Sequence, residues 1–199
     1  MYNIVSLHSL IADGLTEEEY NNFIVKDFRC PKNKDVESFL LEKAFNSCNR
    51  DSSRTYFIVD NDESKKFYET IIAYFTITDK IFEFTDEASG SLKKKLTGNK
   101  KANSLSTILI AQLGKNKNYN GEQIQGKQIL REAETKCIEV YELASIKIIA
   151  LEHQDEEKLH NFYNENHYIL LDHASDKKNN LHLRYKKINK MLIKENLSN

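Results

Sequence analysis

The chain has 199 residues, 30% of them charged, with 29 Lys and Arg against 30 Asp and Glu for a formal net charge of −1. That length suits one ordinary domain burying about 70% of the surface its unfolded chain exposes, and the charge balance excludes any general attraction to nucleic acid or an acidic membrane. No apolar run approaches the roughly 18 residues of a membrane span, and the N-terminus lacks a basic-then-apolar leader, so a cytoplasmic protein is expected. Cys30, Cys48 and Cys137 are odd in number and show no metal spacing, which reads as three reduced thiols. One Pro and six Gly leave no room for a linker, and the sequence shows no internal repeat or low-complexity segment. A single domain over residues 1–199 is expected.

Residues 1–10 read as a first strand. Thr16 followed by Glu17, Glu18 and Glu19 has the form of a capping box with acidic residues in the first helical turn. Asp35 opens a second helix, with Val36, Phe39, Leu40 and Ala44 on one face. Strands are predicted at 54–59, 70–78 and 81–84, where Tyr74, Phe75, Phe82 and Phe84 read as core. The polar stretch 86–103, with Lys93, Lys94, Lys95, Lys100 and Lys101, reads as a solvated loop. A strand at 105–113 follows, then a helix from Gly126 to residue 139, a buried strand at 146–151 and a helix at 155–165. Segments 168–171 and 181–185 read as a closing hairpin, its second strand alternating Leu181, Leu183 and Tyr185. The loop between them, 172–180, is polar, and the tail from Lys186 is a short basic helix or frayed. The six histidines are scattered, so no metal site is expected.

The segment from Ile108 to Ala133, ILIAQLGKNKNYNGEQIQGKQILREA, carries the most chemistry. An apolar strand enters a polar, glycine-bearing turn, which leads into a helix whose Ile129, Leu130 and Ala133 share a face. The first helical N–H groups have no partner inside the helix, and the macrodipole favours negative charge there, so this turn is a candidate anion site. Two phosphate motifs fail on it. No Gly-Lys-Ser/Thr closes a Walker loop, and Gly121 and Gly126 are too far apart for the dinucleotide fingerprint, with no third glycine.

Gln123-Ile124-Gln125-Gly126-Lys127-Gln128 resembles the acyl-CoA-binding turn of the GNAT N-acetyltransferases, Gln/Arg-x-x-Gly-x-Gly/Ala, except that Gln128 stands for the last Gly or Ala. A second register makes Gly126 the final glycine and puts Ile129-Leu130 in the family's Leu-Leu places. Further segments resemble the family in the same order, over roughly residues 28–186. Phe28-Arg29-Cys30 with Asp35 to Leu40 and Ala44 is similar to the opening segment of toxin-type GNAT proteins. Ala73-Tyr74-Phe75-Thr76-Ile77 is similar to their Gly-Tyr-Tyr/Phe-x-Leu strand. Ala111-Gln112-Leu113-Gly114-Lys115-Asn116 stands where they carry Gly-Arg-Leu-Ala-Val-Asp. Leu159, Phe162-Tyr163 and His167-Tyr168 stand for their Ala-x-x-Phe-Tyr and Gly-Phe.

The resemblance implies an α/β fold with a mixed, mostly antiparallel sheet, a splayed parallel strand pair and flanking helices. It implies acetyl-CoA as co-substrate, with Leu113, Gly114 and Lys115 offering backbone groups to the pantetheine. Gln123, Ile124, Gln125, Gly126, Lys127 and Gln128 would hold the pyrophosphate, and Asn161 would add a contact. Tyr163 is the implied general acid: a phenol with reference pKa near 10 can protonate a thiolate of similar basicity, an effect of about 10²–10⁴-fold. On that reading Phe162 packs inward while Tyr163 faces the thioester. The general base is not identifiable. Glu152 at a strand end is the best single candidate, acting through water, and Glu69 comes second. The acceptor is a primary amine of a small molecule, peptide or protein, with a homodimer allowed. Two alternatives stay open: a toxin acetylating aminoacyl-tRNA with a cognate antitoxin, and an acyl-CoA-binding regulator that has lost turnover. A tRNA binder should show a dense Lys/Arg face, whereas the lysines here are interleaved with acids.

Overall fold

The computed structural model describes residues 2–62, 64–175 and 181–197. Strand β1 (Tyr2–Ser6) ends where Ser6 caps helix α1 (Leu7–Ala12). The strand expected over 1–10 is therefore cut short. Leu7, Leu10 and Ile11 have helical spacing, and all three face the same apolar cluster. Helix α2 (Glu17–Glu19) has both halves of the predicted capping box: Glu19 N–H donates to Thr16 Oγ1 at 3.2 Å and Thr16 N–H to Glu19 Oε2 at 2.9 Å. Asn33, rather than Asp35, caps α3 (Lys34–Ser38), which passes through a π turn at Phe39–Lys43 into α4 (Ala44–Asn49). Val36, Leu40 and Ala44 are buried on one face, as their spacing predicts, with Phe39 partly buried beside them.

The chain continues with β2 (Arg54–Asp60), α5 (Phe67–Thr70) and β3 (Ile71–Phe84). The two strands expected at 70–78 and 81–84 are one strand of 14 residues. Asp79 and Lys80 are polar but bring no glycine for a tight hairpin turn, so the strand continues through them and becomes half-solvated. The expected solvated loop at 86–103 instead contains helix α6 (Gly90–Thr97). Ser89 Oγ accepts from Leu92 N–H at 3.1 Å, Gly98 closes the far end at φ 88°, and Leu96 is fully buried. Then come β4 (Ser104–Lys115), α7 (Gly126–Ala144), β5 (Ile148–His153), α8 (Glu157–Glu165), β6 (Ile169–Leu170), β7 (Ala174–Ser175), β8 (His182–Lys187) and α9 (Lys190–Leu197).

The strand order is β1-β2-β3-β4-β5-β8-β6, with β7 paired to the end of β3. The ladders β1/β2, β2/β3, β5/β8 and β6/β8 are antiparallel. A parallel ladder joins Ile108–Ile110 of β4 to Ile149–Leu151 of β5. This mostly antiparallel sheet with a short parallel pair and flanking helices is the architecture the resemblance implied. The closing hairpin is present as β6 and β8. Part of the predicted polar loop between them forms β7, and residues 176–180 lie outside the described residues.

The chain forms two compact units, Met1–Thr78 with Ala111–Ala133, and Asp79–Ile110 with Glu134–Asn199. In the first, Tyr20, Phe28, Leu40, Phe57, Ile71 and Tyr74 are buried, Phe28 lying edge-on to Tyr74 with ring centroids 5.3 Å apart. In the second, Phe82, Leu96, Cys137, the run Ile148 to Leu151, Leu183 and Tyr185 are buried.

Candidate active site

In the first unit the expected cofactor residues lie along the end of β4 and the turn into α7. Past Ile110, β4 leaves its parallel ladder and runs on to Lys115. Leu113 is half-buried and Lys115 exposed, while Gly114 is buried. A Cβ at Gly114 would meet Tyr74 Cε1 at 2.5 Å and Val36 Cγ1 at 2.7 Å, so packing demands glycine here.

Asn116, which carried no expected role, organises the exit from the strand. It is 2% exposed. Its Oδ1 accepts from the N–H groups of Arg29 and Asn118, both at 3.1 Å, and its Nδ2 donates to Ile71 O at 2.9 Å. The first Asn after an apolar strand was the available signal, since such a side chain readily satisfies loop backbone groups. Further along, Tyr119 donates to Asp60 Oδ2 at 2.6 Å, and Gln123 Nε2 donates to Tyr119 O at 2.7 Å. Burial and the Asp60 carboxylate push the Tyr119 phenol up to about 12. Ile124 is buried and anchors the turn, whereas Gln123, Gln125, Gly126, Lys127 and Gln128 are exposed. Glu69 lines a cleft of about 570 Å³ with Asp27, Tyr68 and Asn118. Its carboxylate accepts from Lys66 N–H.

The turn itself accounts for Gln128. Gln125 O accepts from the N–H groups of Gln128 (3.0 Å) and Ile129 (3.3 Å), and Gln128 Oε1 accepts from Gln125 N–H at 2.7 Å. The residue that departs from the family pattern thus closes the turn with its own side chain. Two of the helix's first N–H groups, those of Gly126 and Lys127, have no acceptor among the described residues. Gly126 does not take a positive φ, so its backbone conformation does not require glycine.

In the second unit, Glu152 on β5 is 14% exposed and its Oε2 lies 2.8 Å from Lys80 Nζ. Asn161 on α8 is exposed. Tyr163 is half-buried, its ring packed against His153 (5.1 Å), Phe162 (5.1 Å) and Tyr168 (5.9 Å). Its hydroxyl has no hydrogen-bond partner among the described residues, and burial pushes its phenol up to about 12. The expected division, with Phe162 packed inward, is corrected: Phe162 is also only half-buried and lines a shallow pocket with Lys158, Asn161 and Glu165.

The histidines are not all scattered. The β5/β8 register sets His153 opposite His182 and Leu151 opposite Arg184, and α8 brings His160 to the same place. Alternation along a strand puts His182 and Arg184 on one face. Arg184, 3% exposed, donates from Nε to His153 Nε2 (2.8 Å) and from Nη2 to His160 Nδ1 (2.9 Å). Its Nη1 donates to Asn164 Oδ1 (2.7 Å) and Tyr168 O (3.1 Å). A guanidinium only donates, so both imidazole nitrogens facing it must be bare. His153 therefore carries its proton on Nδ1, which donates to Gln154 O at 2.7 Å. Burial, and then the neighbouring Arg184 guanidinium, lower the pKa of His153.

No protein-family model matches this sequence, and no curated protein matches it. Solved structures do. AtaT complexed with acetyl-methionyl-tRNAfMet superposes with a TM-score of 0.65 at 16% identity, over 94% of this chain and 95% of that one. A tyrosine-to-phenylalanine mutant of KacT gives 0.68 at 16% identity, over 98% of both chains. AtaTR bound with acetyl-CoA gives 0.66 at 17% identity, over 100% of this chain and 98% of that one. At such identity the likeness establishes the fold, and that fold is the GNAT-type architecture implied by the sequence, matched from end to end.

Proposed function

We propose that this protein is an acetyl-CoA-dependent N-acetyltransferase, moving the acetyl group from the thioester to a primary amine. The observation that carries the reading is the start of α7. A helix of 19 residues opens, at the end of the turn that follows β4, with the N–H groups of Gly126 and Lys127, which have no acceptor among the described residues. These donors would hold the pyrophosphate within the turn from Gln123 to Gln128, with Lys127 adding charge. A glycine whose conformation does not require it suits a backbone that a ligand must approach closely. The backbone of Leu113, Gly114 and Lys115, past the end of the β4/β5 ladder, would receive the pantetheine, and Asn161 would add an outlying contact. AtaTR was solved with acetyl-CoA bound, which supports this ligand.

In the reaction, a neutral amine attacks the thioester carbonyl, the C–N bond forms and the C–S bond breaks. The departing thiolate takes the proton of the Tyr163 hydroxyl, which no group among the described residues holds in a hydrogen bond. Glu152, fixed by Lys80, would accept the ammonium proton through water. A second reading, that the amine belongs to an aminoacyl-tRNA and that an antitoxin restrains the enzyme, is favoured by the AtaT complex with acetyl-methionyl-tRNAfMet. The basic helix α6, with Lys93, Lys94 and Lys95, gives it a surface to use.

Acetyl-CoA at millimolar concentration should raise the Tm, by the stabilisation RT ln(1 + [L]/Kd), while NAD, ATP and S-adenosylmethionine should not. A shift with one of those ligands and none with acetyl-CoA would sink the reading. Labelled acetyl transfer to an amine panel and to aminoacyl-tRNA then separates the two acceptors.

A further inference from the structure

We propose that Arg184 is a positioning residue for the acid step: a buried guanidinium that holds His153 against Tyr163 and stabilises the tyrosinate left when that hydroxyl has given up its proton. This deepens the N-acetyltransferase reading and rests on it.

Arg184 is 3% exposed, yet all four of its hydrogen bonds go to neutral acceptors: two imidazoles, an amide oxygen and a peptide carbonyl. No carboxylate touches it among the described residues, and Asp172 acts on it only through space. Burying a charge without a counter-charge is costly, so a fold that does so leaves a positive potential unspent. Tyr163 lies within reach of that potential. The Arg184 cation favours the ionised phenol, and an ionised phenol favours the guanidinium.

The geometry also fixes an orientation. Both nitrogens of His153 are committed, Nε2 to Arg184 and Nδ1–H to Gln154 O, so the ring cannot turn. Its ring centroid stands 5.1 Å from that of Tyr163. The other groups around Arg184 are His160 and Asn164 from α8, Tyr168, and His182 on its own strand. His160 Nδ1 accepts from Arg184, so its Nε2–H donates to Asp155 Oδ1 at 2.9 Å.

Asp155, His160 and His182 place their ligand atoms within 4.8 Å of one another, near enough to share a metal ion. A metal-bound imidazole donates its other N–H to an acceptor. The other nitrogen of His160 instead accepts a hydrogen bond from Arg184, which suits a hydrogen-bonded chain and not a ligand. In the acid step the Tyr163 proton passes to the thiolate sulfur, the phenolate charge is offset by Arg184, and a proton from water restores the phenol.

The experiment uses the full chain. Arg184→Gln should lower kcat for acetyl transfer about tenfold or more while leaving KM for acetyl-CoA within about twofold, and Arg184→Lys, which keeps the charge, should recover most of that loss. In a Tyr163→Phe background Arg184→Gln should cost nothing further, because the charge then has no hydroxyl to act on. Equal losses from Lys and Gln, or a loss undiminished by Tyr163→Phe, overturn the proposal. A second readout needs no turnover. With a fluorinated, more acidic tyrosine incorporated at position 163, absorbance titration should show its phenol ionising at least about one pH unit higher in Arg184→Gln than beside native Arg184, a tenfold change. An unshifted titration overturns the proposal whether or not acetyl transfer occurs. A shifted titration without transfer to any amine upholds the charge coupling and sinks the acetyltransferase reading instead. If Arg184→Gln does not fold, Arg184→Met, which keeps the apolar stem, takes its place.

Discussion

Replacing Gly114 by Ala asks whether this glycine serves the ligand or the core. In a strand, Gly→Ala ordinarily stabilises by about 0.5–1 kcal/mol through lost chain entropy. Here the sign should reverse. The new Cβ would meet Tyr74 Cε1 at 2.5 Å, Val36 Cγ1 at 2.7 Å and Tyr74 Cδ1 at 2.9 Å. Tyr74 cannot swing aside cheaply, since it is fully buried, packs edge-on against Phe28 and donates its hydroxyl to Val36 O. Overpacking a tight core costs about 1–3 kcal/mol, and disturbing the Tyr74 hydrogen bond adds about 1 kcal/mol. A loss of about 2–4 kcal/mol is expected, which for a chain of this size lowers Tm by roughly 5–15 °C. Urea unfolding followed by circular dichroism reads it. Adding Val36→Ala should recover only part of the loss, because the Tyr74 ring remains. Stability within about 0.5 kcal/mol of wild type would refute the steric argument and return Gly114 to the ligand.

Gly126→Glu should leave urea unfolding unchanged, as the position is exposed, yet weaken acetyl-CoA binding by well over tenfold in calorimetry. Undiminished affinity would make the turn merely structural. Tyr163→Phe should reduce kcat by about 100-fold with acetyl-CoA affinity retained, and should change stability by less than about 1 kcal/mol because the hydroxyl makes no hydrogen bond among the described residues. Full activity in that mutant would place the residue in the core. His153 supplies a pH test. Burial lowers its folded pKa, so below about pH 6.5 the unfolded chain takes up a proton that the folded chain resists. Its contribution is therefore whole above that pH and lost as pH falls through the window down to the lowered value. His153→Gln, which keeps an acceptor for Arg184, should shrink the loss of stability between about pH 7.5 and pH 5. An equal loss in both proteins would contradict the burial argument.

Local chemistry was legible where one residue type decides the backbone. Thr16 and Glu19 announce their own cap, and the polar turn ending at Gly126 marks where α7 begins. Misreadings arose where tertiary context outweighed local pattern. Asp79-Lys80 looks like an interruption of β3 because its polarity is visible while the half-solvated face it occupies is not. Helix α6 hides because Leu96 is its one fully buried side chain and its lysines dominate the pattern. The Arg184 cluster could not be read at all. His153, His160 and His182 meet only through the β5/β8 register and the docking of α8, and no spacing along the chain encodes that.

The assignment of residues to the two compact units has a consequence for how the molecule can be made. Neither unit is one continuous stretch: the chain crosses from the first to the second after Thr78, returns after Ile110 and crosses again after Ala133. Strands β3 and β4 and helix α7 each carry one of those crossings within a single regular element. A gene fragment cut at any one point therefore leaves at least one unit without part of its own residues. During synthesis the first unit cannot be completed until Ala133 has emerged, and the second must wait for the strand and helix at the C-terminal end. A ribosome stalled before β8 should thus expose a nascent chain that proteases cut readily in the second unit while the first already resists them.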